Sequence, residues 1–370
     1  MKIPENLTPH HLSAQKETAP AHHLSIPKLS IPDLHISVPA KPDSGRHETI
    51  SRRARNVRAL VRIVNHLPGL GSHVTEVRRF LQDYEKPWKC PRGFSREVLQ
   101  RENYTMEIVR RDSSRKKRAV RFSDRKAAPV REGAPFQPVV SAQRPVILQL
   151  HGGGYYGKFH NVYRRMAVFY SELTNGLDVV SIDYRVAPEH PFPAALEDAV
   201  DAYLYLCERY PAVILTGDSA GGGLSLALTM KLRDDGHKLP LKIITMSAWT
   251  DLTASGASYD DNFMTDPVFG GSRDSLIYNS PYVGDNDPEN PYISPLFGDF
   301  SGFPPVLMQV GEMEMVLSDT TAVAEKMRLA GVDVTMHMYE GMFHDFQMGL
   351  NTFPESAAAW EEIREFLEGY

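Results

Sequence analysis

The chain has 370 residues, of which 42% are apolar and 24% charged, a balance that excludes a wholly disordered or membrane-embedded polypeptide. No run reaches the roughly 18 consecutive apolar side chains of a spanning helix, and two cysteines, Cys90 and Cys207, are too few for a disulfide framework and lack zinc-site spacing. The net charge of −5 conceals opposed parts: residues 1–135 hold 27 Lys and Arg against 14 Asp and Glu, whereas 136–370 hold 14 against 32.

Residues 1–48 carry seven prolines by position 42, six histidines, and the near-repeat SIPKL (25–29) and SIPDL (30–34). Proline fixes φ and removes backbone donors, so this stretch reads as a disordered or extended arm. Its histidine pairs, His10-His11 and His22-His23, are adjacent rather than a helical turn apart, and no metal site is expected. With no apolar segment at the start, the chain is expected in the cytoplasm.

Residues 49–103 read as an N-terminal helical segment. Ile50, Val57, Leu60, Val61 and Val64 recur at helical spacing among five arginines, and HLPGLG ends the run. A second amphipathic helix follows Ser72, with Val74, Val77, Phe80, Leu81 and Tyr84 on one stripe. Between 104 and 140 come weak strand signals around YTMEIV, the basic run RRDSSRKKRAVR and a loop-like stretch.

From Pro145 the pattern is short β-branched apolar runs, at 146–150, 178–184, 212–217, 242–248, 304–311 and 333–341. Helix-like segments at 161–175, 193–209, 220–235, 318–330 and 355–368 separate them. Apolar strands alternating with helices predict an α/β fold, a mostly parallel sheet covered on both faces. Residues 255–295, rich in Asp and Gly, interrupt the alternation as an excursion from that sheet.

The chemistry concentrates at strand ends. Gly217-Asp218-Ser219-Ala220-Gly221 closes one strand and opens a helix, the context in which a sharp turn presents a serine hydroxyl at the sheet edge. Strand VILQL runs into His151-Gly152-Gly153-Gly154. Backbone amides at a glycine run can approach an oxyanion closely, so Gly153, Gly154 and Ala220 are the expected donors, and His151 is read as structural. A serine needs a base, and the base an orienting acid. His344, after the last strand, meets the first need; Glu312, Glu314 and Asp319 compete for the second. His337, inside an alternating strand, is read as a sheet residue.

HGGG at 151–154, DYRVAPEHPFPAA at 183–195, GDSAGG at 217–222 and SAWTDL at 247–252, in that order, resemble the hormone-sensitive lipase-like family of α/β-hydrolases over about 145–370. The resemblance implies a serine carboxylesterase with nucleophile Ser219, base His344 and oxyanion glycines Gly153 and Gly154. The relatives' D-P-L-x-D acid motif is absent, because Met315 stands two residues before Leu317. A second branch, G-S-x-E-hydrophobic-L-L-S-D, is closer to Gly311–Asp319, which favours Glu314 and leaves Asp319 to the first turn of the next helix. It also implies a helical cap over the site, built from the N-terminal segment and the 255–295 insertion.

Expected substrates are small, short- to medium-chain acyl esters, with no metal or organic cofactor. Deacetylation or amide cleavage by the same triad, and a ligand receptor on a retired hydrolase fold, are the alternatives. No nucleic-acid reading motif stands in the basic third, and no integral membrane contact is expected. The Arg-rich outer face of the first helix is a candidate for weak peripheral contact with anionic lipid, and the family resemblance implies a candidate homodimer.

Overall fold

The structure, a computed structural model, describes residues 50–65, 85–112 and 144–370. The N-terminal arm, the helix expected after Ser72 and most of the basic stretch lie outside the described residues.

Eight strands form one sheet in the order β1-β2-β4-β3-β5-β6-β7-β8: β1 Phe94–Gln100, β2 Thr105–Arg111, β3 Val146–Leu150, β4 Val179–Asp183, β5 Val213–Asp218, β6 Lys242–Met246, β7 Val306–Gly311 and β8 Val334–Tyr339. β1 and β2 join antiparallel, β2 meets β4 antiparallel, and every pairing from β4 through β8 is parallel. β3, β5 and β7 are buried along their whole length, as strands covered on both faces must be. Alternation divides the core accordingly: Val146, Leu148 and Leu150 of β3 enter one cluster and Ile147 the other.

Helices α2 Asn161–Leu173 and α7 Pro354–Phe366 cover one face through Tyr170, Trp360 and Ile363. On the opposite face lie α3 Ala194–Cys207, α4 Ser219–Asp234 and α6 Leu317–Leu329, with Leu206, Leu224 and Met327. The chain goes from β3 to β4 on one side and returns past β3 to β5 on the other. That reversal opens a crevice at the strand C-termini between β3 and β5, the usual ligand position in such sheets.

β1 was not foreseen, and the sheet starts at Phe94 rather than after residue 103. The strand FSREVLQ lies at the sheet's edge and is stabilised by cross-strand charge: Arg96 pairs with Glu107 at 2.6 Å and Arg110 with Glu97 at 2.6 Å, pairings invisible to an apolar pattern. The opposed charges of the two parts of the chain also meet internally, with Arg101 on Asp201 at 2.8 Å and Arg110 on Asp178 at 2.9 Å.

Helix α1 Arg52–Asn65 buries Ala54 against Met342, Phe343, Phe346 and Phe353. Its ends are tied down by Ser51, which donates through its amide and hydroxyl to Glu355, and by Asn65 Nδ2, which donates to the Pro267 carbonyl at 3.0 Å. The 255–295 insertion holds a single four-residue helix, α5 Ser258–Asp261, and otherwise runs in turns. Short polar side chains there take the backbone's hydrogen bonds: Asp266 Oδ1 accepts from Val268 N at 2.7 Å and Asp287 Oδ1 from Glu289 N at 3.0 Å.

Candidate active site

Ser219 begins α4 directly after β5 with φ 50°, in the left-handed region that a serine adopts only when its surroundings impose it. The surroundings are backbone: a Cβ on Gly221 would strike the Leu150 carbonyl, so only glycine lets the first turn of α4 pack against the end of β3. Helix and strand therefore hold the serine where β3 and β5 diverge. Ser219 is nearly buried but lines a cavity of about 600 Å³.

Gly153 and Gly154 line the same cavity. The Gly152 amide is already engaged, donating to Asp218 Oδ2 at 3.1 Å, which leaves the next two amides as candidate oxyanion donors. Ala220 is fully buried one residue beyond Ser219, where a helix's first-turn amides have no intrahelical acceptor. Gly153 has φ 104°, and a Cβ there would sit 3.1 Å from Gly157 Cα. Gly153→Ala is expected to displace this amide and lower kcat about 10²- to 10³-fold at unchanged fold, as loss of one oxyanion donor does; steady-state kinetics beside a thermal melt would show it, and unaltered kcat would remove Gly153 from the donor set.

His151 is fully buried and stacked on Tyr184 with ring centroids 4.0 Å apart. Nδ1 donates to the Gly152 carbonyl at 2.8 Å, and burial lowers its pKa to about 4, so it is a neutral strut for the glycine loop. His337 on β8 pairs with Glu362 at 2.7 Å, away from the cavity lining. Cys90 is buried, its thiol pushed up to about 11 chiefly by burial, and Cys207 is partly buried; both are free thiols.

Glu314 and His344 come together from the loops after β7 and β8. Those loops are stitched by backbone bonds, Glu312 N to the Tyr339 carbonyl and Met313 N to the Met342 carbonyl, both 3.0 Å. His344 Nδ1–H donates to Glu314 Oε2 at 2.9 Å, and the carboxylate is fully buried. Its other oxygen, Oε1, accepts from Gly311 N at 2.5 Å and from Ser247 Oγ at 2.8 Å. Every direction in which the carboxylate could swing is thus held. Burial alone would lower the pKa of His344, but Asp345, Glu314 and Asp266 more than offset it and raise it to about 9.

Asp319 is elsewhere. It lies in the first turn of α6, as expected, but is buried, and Oδ2 accepts from the amides of Thr250 and Asp251, each at 2.8 Å. It anchors the SAWTDL loop, while Glu312 accepts from Gly341 N at 2.8 Å. Three residues around the Glu314–His344 pair were missed in the sequence: Ser247, Asp266 and Asp345. Ser247 lies inside the SAWTDL motif and Asp345 next to His344, but neither shows its partner until the loops are folded.

The cavity is closed over by α1 through Val57 and Val61 and by the insertion through Val268, Phe269, Leu276 and Ile277. Phe269 packs edge-on to His344 at 4.7 Å. The lining is mostly apolar, with Ser219, His344 and Asp345 among its polar side chains.

Strand order, the strained serine and the carboxylate–imidazole pair at neighbouring strand ends are together the marks of an α/β-hydrolase. The model of the α/β hydrolase fold family matches residues 147–348, and the chain belongs to this family. An esterase from Acinetobacter venetianus is 34% identical over 224 residues, covering 60% of this chain and 74% of the relative. An acetyl-hydrolase from Streptomyces hygroscopicus is 36% identical over 224 residues, with the same shares of 60% and 74%. Among solved structures, an esterase from the bacterial hormone-sensitive lipase family matches with a TM-score of 0.70 at 29% identity, covering 86% of this chain and 98% of that one. The protein is an ester hydrolase of that hormone-sensitive lipase-like group. No helix among the described residues is long and apolar enough to cross a membrane.

Proposed function

We propose that the protein is a serine carboxylesterase that hydrolyses short- to medium-chain acyl esters through an acyl-enzyme. The observation that carries this reading is the clamped Glu314–His344 pair opening on the apolar cavity that Ser219, Gly153 and Gly154 also line. Ser219 Oγ attacks the ester carbonyl while neutral His344 takes its proton at Nε2; Glu314 holds the imidazole in the Nδ1–H tautomer and stabilises the cation that forms. The oxyanion is received by the amides of Gly153, Gly154 and Ala220. His344 then passes its proton to the leaving alcohol, and a water activated by the same nitrogen hydrolyses the acyl-Ser219 bond.

The acetyl-hydrolase relative favours the short end of the acyl range, and deacetylation of a small acetylated alcohol is the second reading. A p-nitrophenyl series from acetyl to palmitoyl separates them. Under the main reading kcat/KM peaks between butyrate and octanoate, and mass spectrometry of a rapidly quenched reaction finds the acyl group on the Ser219 peptide. A maximum at acetate with steep decline restricts the enzyme to deacetylation, and turnover of palmitate above the shorter esters would refute the chain-length assignment.

Three finer readings accompany this one: a cytoplasmic location; a homodimer, supported by β8 as the sheet's end strand; and weak contact with anionic lipid, supported by exposed Leu60, Ile63 and Val64 on α1, the helix that also carries Arg52 and Arg53.

A further inference from the structure

His344 lies between two carboxylates rather than one. Glu314 accepts from Nδ1–H, whereas Asp345 Oδ2 lies 3.3 Å from Nε2 as an ion-pair contact without a hydrogen bond, at the nitrogen assigned to receive the Ser219 proton. Asp345 has φ 57°, and its side chain does not cap the 3₁₀ turn Phe346–Gly349 that it precedes. Its amide donates to Ser247 Oγ at 3.1 Å, the same hydroxyl that donates to Glu314. The backbone at 345 is therefore locked to the acid that orients the ring.

The other acidic groups near the imidazole are Asp266 and Asp218. Asp266 accepts from Val268 N, Phe269 N and Met315 N, and Asp218 from Gly152 N and the Tyr163 hydroxyl. Asp345 is the one whose oxygen reaches Nε2, and it lines the cavity with Ser219 and His344.

We propose that Asp345 is a positioning residue that acts through the base: its carboxylate holds protonated His344 at Nε2 in a resting state, and loss of that proton to solvent frees Nε2 to serve Ser219. No heavy-atom bond changes in this step; the imidazolium gives up one proton from Nε2 to solvent. The proposal rests on Ser219 and His344 acting as nucleophile and base. It makes the enzyme slow in acid and fast in mild alkali, in keeping with a base raised to about 9. Since the active form carries neutral His344, kcat/KM rises with pH through the base's pKa.

The test is the pH profile of kcat/KM for p-nitrophenyl butyrate between pH 5 and 10, corrected for spontaneous hydrolysis, with wild type, Asp345→Asn and Asp345→Gly. Both replacements tolerate a left-handed φ and remove the charge. The midpoint of the acid limb is expected to fall by about one pH unit or more, the usual effect of removing a carboxylate in contact with an imidazolium. Labelling of Ser219 by a fluorophosphonate should shift over the same pH range. An unmoved midpoint in the folded variants, whether or not the plateau rate drops, overturns the latch while Ser219→Ala remains inactive. Turnover retained by Ser219→Ala would instead remove the underlying triad, and the latch with it.

Discussion

Replacing Ser219 with alanine is expected to lower kcat for p-nitrophenyl butyrate by about 10⁶-fold with little change in fold. The size follows from the chemistry assigned to the side chain. Without the hydroxyl there is no acyl-enzyme, and the remaining machinery offers only binding and the oxyanion amides, worth about 10³- to 10⁴-fold over water in hydrolases of this type. Alanine removes one oxygen from a side chain whose strained backbone is imposed by close packing of α4 on β3, so the melting temperature should stay near that of wild type. Stopped-flow release of nitrophenol gives both signs at once, loss of the burst and loss of the steady rate. Turnover persisting within tenfold would assign the attack to another group.

Glu314→Gln is expected to lower kcat by about 10⁴-fold while KM changes little. Gly311 N and the Ser247 hydroxyl both donate to Oε1. A glutamine therefore keeps its carbonyl oxygen there and turns its amide NH₂ toward His344 Nδ1. Two donors cannot face each other, so the imidazole shifts to the tautomer protonated at Nε2 and has no lone pair for the Ser219 proton. Glutamine is the informative replacement, since alanine would strip the acceptor from three buried donors, Gly311 N, Ser247 Oγ and His344 Nδ1, and confound chemistry with stability. The contrasting variant is Asp319→Asn, which touches the SAWTDL anchor and the Tyr259 hydroxyl but not the imidazole; it should keep kcat within a few-fold and lower the melting temperature. The opposite pattern would move the acid role to Asp319.

Six strands and five helices of the catalytic domain were legible because their side chains alternate between exposed, apolar and turn-forming types with clear periods. β1 was not, because its apolar residues Phe94, Val98 and Leu99 show no strand period of their own among the charged residues that pair with the neighbouring strand. The insertion could be placed by composition, and the family resemblance put it over the site, but that Val268, Leu276 and Ile277 join Phe269 in the cavity wall could not be read, since these residues are spread over ten positions that periodicity does not link.

The site divides along the same line. Ser219 and the glycine run are readable because the turn that carries them admits only particular residues at fixed spacing; local backbone sterics write themselves into adjacent positions. His344 follows from its place after the last strand. The carboxylate partnerships do not. Glu314 and Asp319 stand five residues apart in one loop and helix start, both carboxylic side chains and both buried; only the stitching of the β7 and β8 loops turns one to the imidazole and the other to the amides of Thr250 and Asp251. Asp345 adjoins the base in sequence, yet its approach to Nε2 depends on a backbone conformation held by Ser247, nearly a hundred residues earlier. The sequence by itself determined the fold and singled out Ser219 and His344 as the candidates for nucleophile and base, since these rest on local period and turn chemistry. Which carboxylates face that base was decided by tertiary structure, because the directions of buried charges are set by hydrogen bonds between distant segments.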